Sequence, residues 1–184
     1  MSVEVLNAIV DLETEMYRSL NTDPPITEEK VPPFRLMRWM TYSVLSDATQ
    51  SSWMRDLCAA KASGRNVLTE KYALMDNAIK HFNSNPLIQK IVDAEVAWMD
   101  HLHERYPHTI KREPKNVEMF QRYALCELES WSDRSIECYY ADVVAALEAG
   151  RNLCEERYNN LNQRLGHGTL AELERAATAP DTPS

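Results

Sequence analysis

The chain has 184 residues, enough for one domain with a sizeable core, and a net charge of −8 with an isoelectric point near 5.2. That acidic balance argues against a nucleic-acid or anionic-membrane surface, since each needs a basic face. No apolar run reaches the roughly 18 residues of a membrane span, Met1-Ser2-Val3-Glu4 lacks the parts of an export signal, and Cys58, Cys126, Cys138 and Cys154 form no CxxC pair, so free thiols in a cytoplasmic protein are the expectation.

Leu6, Ile9, Glu13, Met16 and Leu20 step by three and four, which predicts a first helix ended by Asn21-Thr22-Asp23-Pro24-Pro25. A polar connector leads to Pro32-Pro33, residues suited to a first helical turn. A second helix starts near Phe34 and passes Met37, Thr41, Val44 and Leu45. Ser46-Asp47 interrupts it, with Asp47 and Gln50 placed for a capping box, and a third helix runs to about residue 63. In Gly64-Arg65-Asn66, Gly64 suits the left-handed position that closes a helix and Asn66 the N-cap of the next. A helix over about 87–106 stops at Pro107, and a basic connector covers 108–115. A helical stretch over about 116–149 holds Ser132-Asp133 at the place of Ser46-Asp47. Asn152 with Glu155 reads as a capping box for a helix to about residue 165. Gly166-His167-Gly168 breaks the chain before a short helix at 169–177, and 178–184 reads as a frayed tail.

The chain repeats itself. Gly64-Arg65-Asn66-Val67-Leu68-Thr69-Glu70-Lys71-Tyr72 returns as Gly150-Arg151-Asn152-Leu153-Cys154-Glu155-Glu156-Arg157-Tyr158, and Ile9-Val10-Asp11-Leu12-Glu13 returns as Ile91-Val92-Asp93-Ala94-Glu95. Two matched blocks in one order indicate an internal duplication. With four glycines and no alternating apolar pattern, the expected fold is a single all-α domain over 1–177. It is a bundle of about seven to nine helices in two pseudo-symmetric repeats, about 5–82 and 87–165, with 169–177 as terminal helix.

Glu13 and Glu95 lie within the apolar stripes of their helices. Burying an ionised carboxylate costs several kcal/mol unless it is paired. Either each meets a buried arginine of its own half, Arg38 or Arg122, or the two approach each other in a pocket where their pKa values separate for acid and base roles. Glu127 falls close to the apolar face of its helix and could join such a pocket. Tyr72 and Tyr158, kept in the repeat, could each send a hydroxyl to a buried polar group. Trp98, with Trp39, Trp53, Trp131, Tyr139 and Tyr140, could line a cavity or simply fill the core. Asp100-His101-Leu102-His103 has one carboxylate-x-x-His spacing, but the matched segment 18–20 has no histidine, so no metal is expected. No P-loop, GxGxxG or GxSxG occurs, so no cofactor is expected.

These features predict a small-molecule enzyme or ligand-binding protein with an acidic, aromatic-lined pocket between the repeats. Glu13, Glu95 and Glu127 would carry cofactor-independent proton transfer or elimination. Arg38, Tyr72, Trp98 and Tyr158 would contact a small polar or cationic metabolite. A non-catalytic helical interaction module is the alternative, and a homodimer suits either.

The chain also resembles the bacterial family known as domain of unknown function 4125. Its Glu-bearing first helix and Met-Arg motif are matched by residues 9–16 and by Phe34-Arg35-Leu36-Met37-Arg38. Its Arg-Asn turn and Glu-Lys-Tyr motif are matched by Arg65-Asn66 and Glu70-Lys71-Tyr72. Trp98-Met99, Tyr106-Pro107, Glu127-Leu128 and Ser132 follow in the family's order, over about residues 5–175. The resemblance implies an all-α fold in a bacterial cytosolic protein and supplies no activity. One departure is visible: family members carry a glycine-rich stretch ending in a Cys-Gln-Asp-Asp-like motif between the first two helices, whereas residues 21–33 here contain neither Gly nor Cys.

Overall fold

A computed structural model describes residues 3–111 and 113–179, with only the backbone of 114–116. Among the described residues there are nine α-helices and no strand, packed as an all-α bundle. The helices are α1 (Val3–Arg18), α2 (Val31–Tyr42), α3 (Asp47–Ala62), α4 (Val67–Met75), α5 (Pro86–Arg105), α6 (Pro114–Leu128), α7 (Asp133–Glu148), α8 (Leu153–Arg164) and α9 (Leu170–Thr178). The helical stretch expected over about 116–149 is two helices, α6 and α7, divided before the Ser132 N-cap as α2 and α3 are before Ser46. Of the expected tail, 180–184 lie outside the described residues.

The helix ends follow from their residues. Ser46 and Ser132 cap α3 and α7, each hydroxyl accepting from the backbone N–H three residues on. Ser46, not Asp47, is therefore the N-cap. Gln50, expected to reach back to the cap, instead donates to the carbonyls of Tyr42 and Leu45 and braces the α2–α3 turn. Gly64 closes α3 at φ +70°, with its N–H on Lys61 and the Arg65 N–H on Ala60. These are the paired bonds of a Schellman motif. Asn66 and Asn152 cap α4 and α8, and their amides also donate to the carbonyls of Met16 and Trp98, tying each turn to the helix it packs on. Glu155 does not complete a box with Asn152, because its carboxylate is taken by the Tyr106 hydroxyl and Arg105. The complete capping box is Thr169 with Glu172, at the start of α9.

α1 and α5 are the inner helices. α1 packs on α2 and α3, and α5 packs on α6, α7 and α8. Their stripes, Leu6–Ile9–Met16 and Ile88–Ile91–Leu102, join one buried cluster that reaches from α1 to Leu170 of α9. α3 meets α7 through a Ser135–Ser52 hydroxyl bond of 2.8 Å, and Trp53 of α3 stacks on Trp131 of the α6–α7 turn, 4.4 Å between centroids. Two further bonds cross there: the Ser46 N–H donates to Asp142, and the Ser132 N–H donates to Asp56, each at 3.0 Å. α4 lies on α6 and α8 lies on α2, so each half covers a helix of the other.

Candidate functional site

Glu13 is fully buried on α1 and is matched by donors from three directions. Arg38 of α2 meets it with Nε and, at 3.0 Å, with Nη2. The Tyr42 hydroxyl donates to it, as does the Trp53 Nε1 at 3.0 Å. Arg38 reaches onward to Glu127 of α6, with Nη1 3.0 Å from Oε2. Lys71 of α4, only 1 % exposed, closes the cluster with its ammonium 3.3 Å from Glu127 and 2.8 Å from the Tyr123 hydroxyl. Two cations and two carboxylates thus form one neutral, buried network. Burial alone would raise the Glu127 pKa, but the charges of Arg38 and Lys71 and their hydrogen bonds outweigh it and hold the carboxyl far below its ordinary range.

A second network surrounds Glu95 on α5. Arg157 of α8 pairs with it through Nη1, the Tyr139 hydroxyl donates to it, and the Cys154 thiol lies 3.4 Å away. Arg157 also donates to Tyr139 at 2.6 Å and to the Thr41 carbonyl at 3.2 Å. Against the opposing effect of burial, the Arg157 charge and these hydrogen bonds leave the Glu95 pKa lowered. Burial, with Glu95 nearby, pushes the Cys154 thiol well up. Burial likewise raises Tyr42 and Tyr139.

Glu13 and Glu95 therefore do not meet. Each sits in its own ion-paired network, and Trp131 leans against both Tyr42 and Tyr139, at centroid distances of 6.3 and 5.7 Å. Arg38 is the partner expected for Glu13. Arg122 is not the partner of Glu95, since it is exposed and donates to the Met75 carbonyl. The role falls to Arg157, which the repeat places opposite Lys71. A charged residue kept one position before a tyrosine in both Gly-Arg-Asn blocks was the available signal for both cations.

The two networks share a cavity of about 260 Å³. Arg38, Glu127, Glu95 and Arg157 reach its wall, and most of the remaining lining is apolar, including Met40, Ile91, Met99, Phe120 and Trp131. Of the expected contact residues, Arg38 and Tyr158 line it. Trp98 does not; it is buried and its carbonyl accepts from Asn152. Tyr72 does not either; its ring lies 4.9 Å from the Lys71 ammonium. Glu13 is also off the wall, behind Arg38. The charges on the wall are two carboxylates and two guanidiniums, so the lining is balanced rather than acidic.

The sequence register explains why the cavity lies where it does. Ala124 stands eight residues before Ser132, as Arg38 stands eight before Ser46. Met99 follows Glu95 by four, as Tyr17 follows Glu13. In the first half the longer Arg38 stands at that position and pairs with Glu13 and Glu127, and Tyr17 stacks flat on Phe34 at 4.0 Å. In the second half Ala124 and Met99 leave room, and both line the cavity.

Among the described residues, no group of three His, Cys, Asp or Glu side chains is placed to hold a metal ion, and no helix is long and apolar enough to cross a membrane. No curated protein and no solved structure matches the chain. The model of one family, described as "Protein of unknown function (DUF4125)", matches residues 3–175, nearly the whole of the chain, and the protein belongs to that family.

Proposed function

We propose that this protein binds a small, mainly apolar molecule in the cavity between its two halves. The observation that carries this reading is a cavity of about 260 Å³ whose wall charges are already paired with one another. An apolar cavity of roughly 150 Å³ holds benzene, so this one has room for a bicyclic body. A free cationic metabolite would have to compete with Arg38 and Lys71 for Glu127, which favours an apolar ligand over the cationic one expected from sequence. Binding is also favoured over acid–base chemistry. An efficient general acid or base has a pKa near the working pH, whereas Glu95 and Glu127 are held low and Tyr139 and Cys154 high.

Two halves related by a pseudo-twofold axis within one domain over 1–177 are part of the same proposal. The crossed Ser46–Asp142 and Ser132–Asp56 bonds support it, because reciprocal contacts of this kind mark a twofold interface. A bacterial cytoplasmic setting fits four unpaired thiols, three of them buried.

The test is a titration with N-phenylnaphthylamine, whose fluorescence rises in apolar surroundings, together with thermal unfolding. Saturable binding of one probe per chain and a raised midpoint are expected. Ala124→Met, which fills the cavity, should abolish both while leaving the far-UV spectrum unchanged. Absence of saturable binding across a panel of apolar aromatic probes would overturn the reading.

A further inference from the structure

The ligand cavity does not stand alone. A second chamber of about 420 Å³ adjoins it and shares three of its wall residues, Met99, Phe120 and Tyr158. The second chamber is the more polar one: its own lining brings Asp100, His103, Thr109 and Lys111. The three shared residues therefore lie between an apolar inner space and a polar outer one. At the corresponding positions of the first half Tyr17 and Phe34 stack flat on each other. Phe120 stands twelve residues before Ser132, as Phe34 does before Ser46, but the smaller, unstacked Met99 replaces Tyr17.

Tyr158 lines both chambers. The Tyr158 hydroxyl makes no hydrogen bond within the described residues. Burial keeps it in its neutral, donating form. On the inner wall Tyr42 donates to Glu13, Tyr139 and Cys154 to Glu95, and Thr41 to the Met37 carbonyl, while the Tyr123 hydroxyl accepts from Arg38 and Lys71. The Trp131 Nε1 also lacks a partner, but that nitrogen is sealed from solvent-sized space. A polar group at the neck of an apolar cavity fixes orientation and selectivity.

We infer that the ligand is amphipathic and spans both chambers, with its apolar body in the inner cavity and an end bearing a hydrogen-bond acceptor on the Tyr158 hydroxyl. This rests on the binding function proposed above. It names the ligand class as an apolar ring or chain ending in a carbonyl or comparable acceptor that faces the Asp100–Lys111 chamber.

The test compares naphthalene with acetonaphthone, which adds a ketone acceptor, as competitors of N-phenylnaphthylamine. On the wild-type protein acetonaphthone should bind tighter by roughly three- to tenfold, the worth of one net hydrogen bond. Tyr158→Phe should remove that advantage, bringing the two affinities together. Met99→Tyr, which rebuilds the flat stack of the first half against Phe120, should slow association and dissociation of both competitors. Equal affinity of the two on the wild type, or equal weakening of both by Tyr158→Phe, would overturn the inference while leaving the cavity function standing. Unchanged rates in a folded Met99→Tyr variant would overturn the span across both chambers. Failure of both competitors to displace the saturably bound probe would put the probe outside the cavity and overturn the cavity function and the inference with it.

Discussion

Removing the Lys71 ammonium should destabilise the protein by far more than an ordinary surface charge, and removing Glu127 as well should undo much of the damage. The Arg38, Lys71, Glu13 and Glu127 network is neutral as a set and almost completely buried. Lys71→Met keeps most of the stem but leaves one uncompensated negative charge inside. Glu127→Gln leaves one uncompensated positive charge. Breaking a buried pair in this way costs about 3–5 kcal/mol. In the double variant Arg38 still faces Glu13 at 3.0 Å and the set is neutral again. Two single losses of about 4 kcal/mol each would sum to about 8, whereas the double variant should lose about 4 or less. Urea unfolding followed by far-UV circular dichroism and tryptophan fluorescence gives all three values. A protein with total stability of about 5–15 kcal/mol tolerates the single losses well enough to be measured. Additivity within about 0.5 kcal/mol would refute the coupled network.

The pH dependence follows from the same groups. The Glu127 and Glu95 carboxyls have folded pKa values below their unfolded value of about 4.3. Their contribution to stability is therefore fully present above that value and is lost as pH falls through the lower, folded values. The urea midpoint should vary little with these groups between neutrality and about pH 5 and fall steeply below about pH 4, with a shallower fall in Glu127→Gln; identical slopes would remove the basis for this assignment. Thiol chemistry should be selective. Cys58 is exposed and should react with a disulfide reagent in the native protein, while Cys154, buried with its pKa pushed up, should react only on unfolding. Mass spectrometry of the labelled peptides checks the order. Asn66→Ala should cost about 1 kcal/mol for the lost cap and more in total, because the amide also holds the Met16 carbonyl. Asn66→Asp, which keeps the cap acceptor and loses that donor, separates the two parts by denaturant midpoint.

The all-α architecture was legible because local signals agreed. Apolar stripes, serine and asparagine caps and the glycine turns all act within a few residues of themselves, and most boundaries fell close to their expected places. Where a side chain had a stronger distant use, the local reading failed. Gln50 and Glu155 have capping-box spacing, yet one braces a turn and the other holds Tyr106. The site was legible in its anions and not in its cations. A glutamate on an apolar stripe announces itself, and Arg38 was within reach of Glu13 in its own half. Lys71 and Arg157 sit on short helices whose buried face is set by packing on α6 and α2. Their burial depends on tertiary contacts that no local periodicity carries. Nor does spacing along the chain reveal that Glu127 belongs with Glu13, since the two are joined through Arg38 and Tyr42 of α2.

Each network is completed by the other half. Lys71, from the first half, needs Glu127 of the second. Arg157, from the second, needs the Thr41 carbonyl of the first. Glu127 stands five residues before Ser132, and Thr41 stands five before Ser46, so both cations lean on the same position of the opposite half. The first half alone could not bury Lys71, nor the second half Glu127, without an unmatched charge, and an unmatched buried charge is among the most expensive defects a fold can carry. Docking of the halves and satisfaction of the charges are then one event, and the cavity wall forms in that event. The duplicated positions fix where the wall stands, and the unequal ones, Arg38 against Ala124 and Tyr17 against Met99, decide on which side it opens. A duplication that keeps its charge pattern while differing in bulk at two positions would yield the one-sided pocket that the proposed binding function needs.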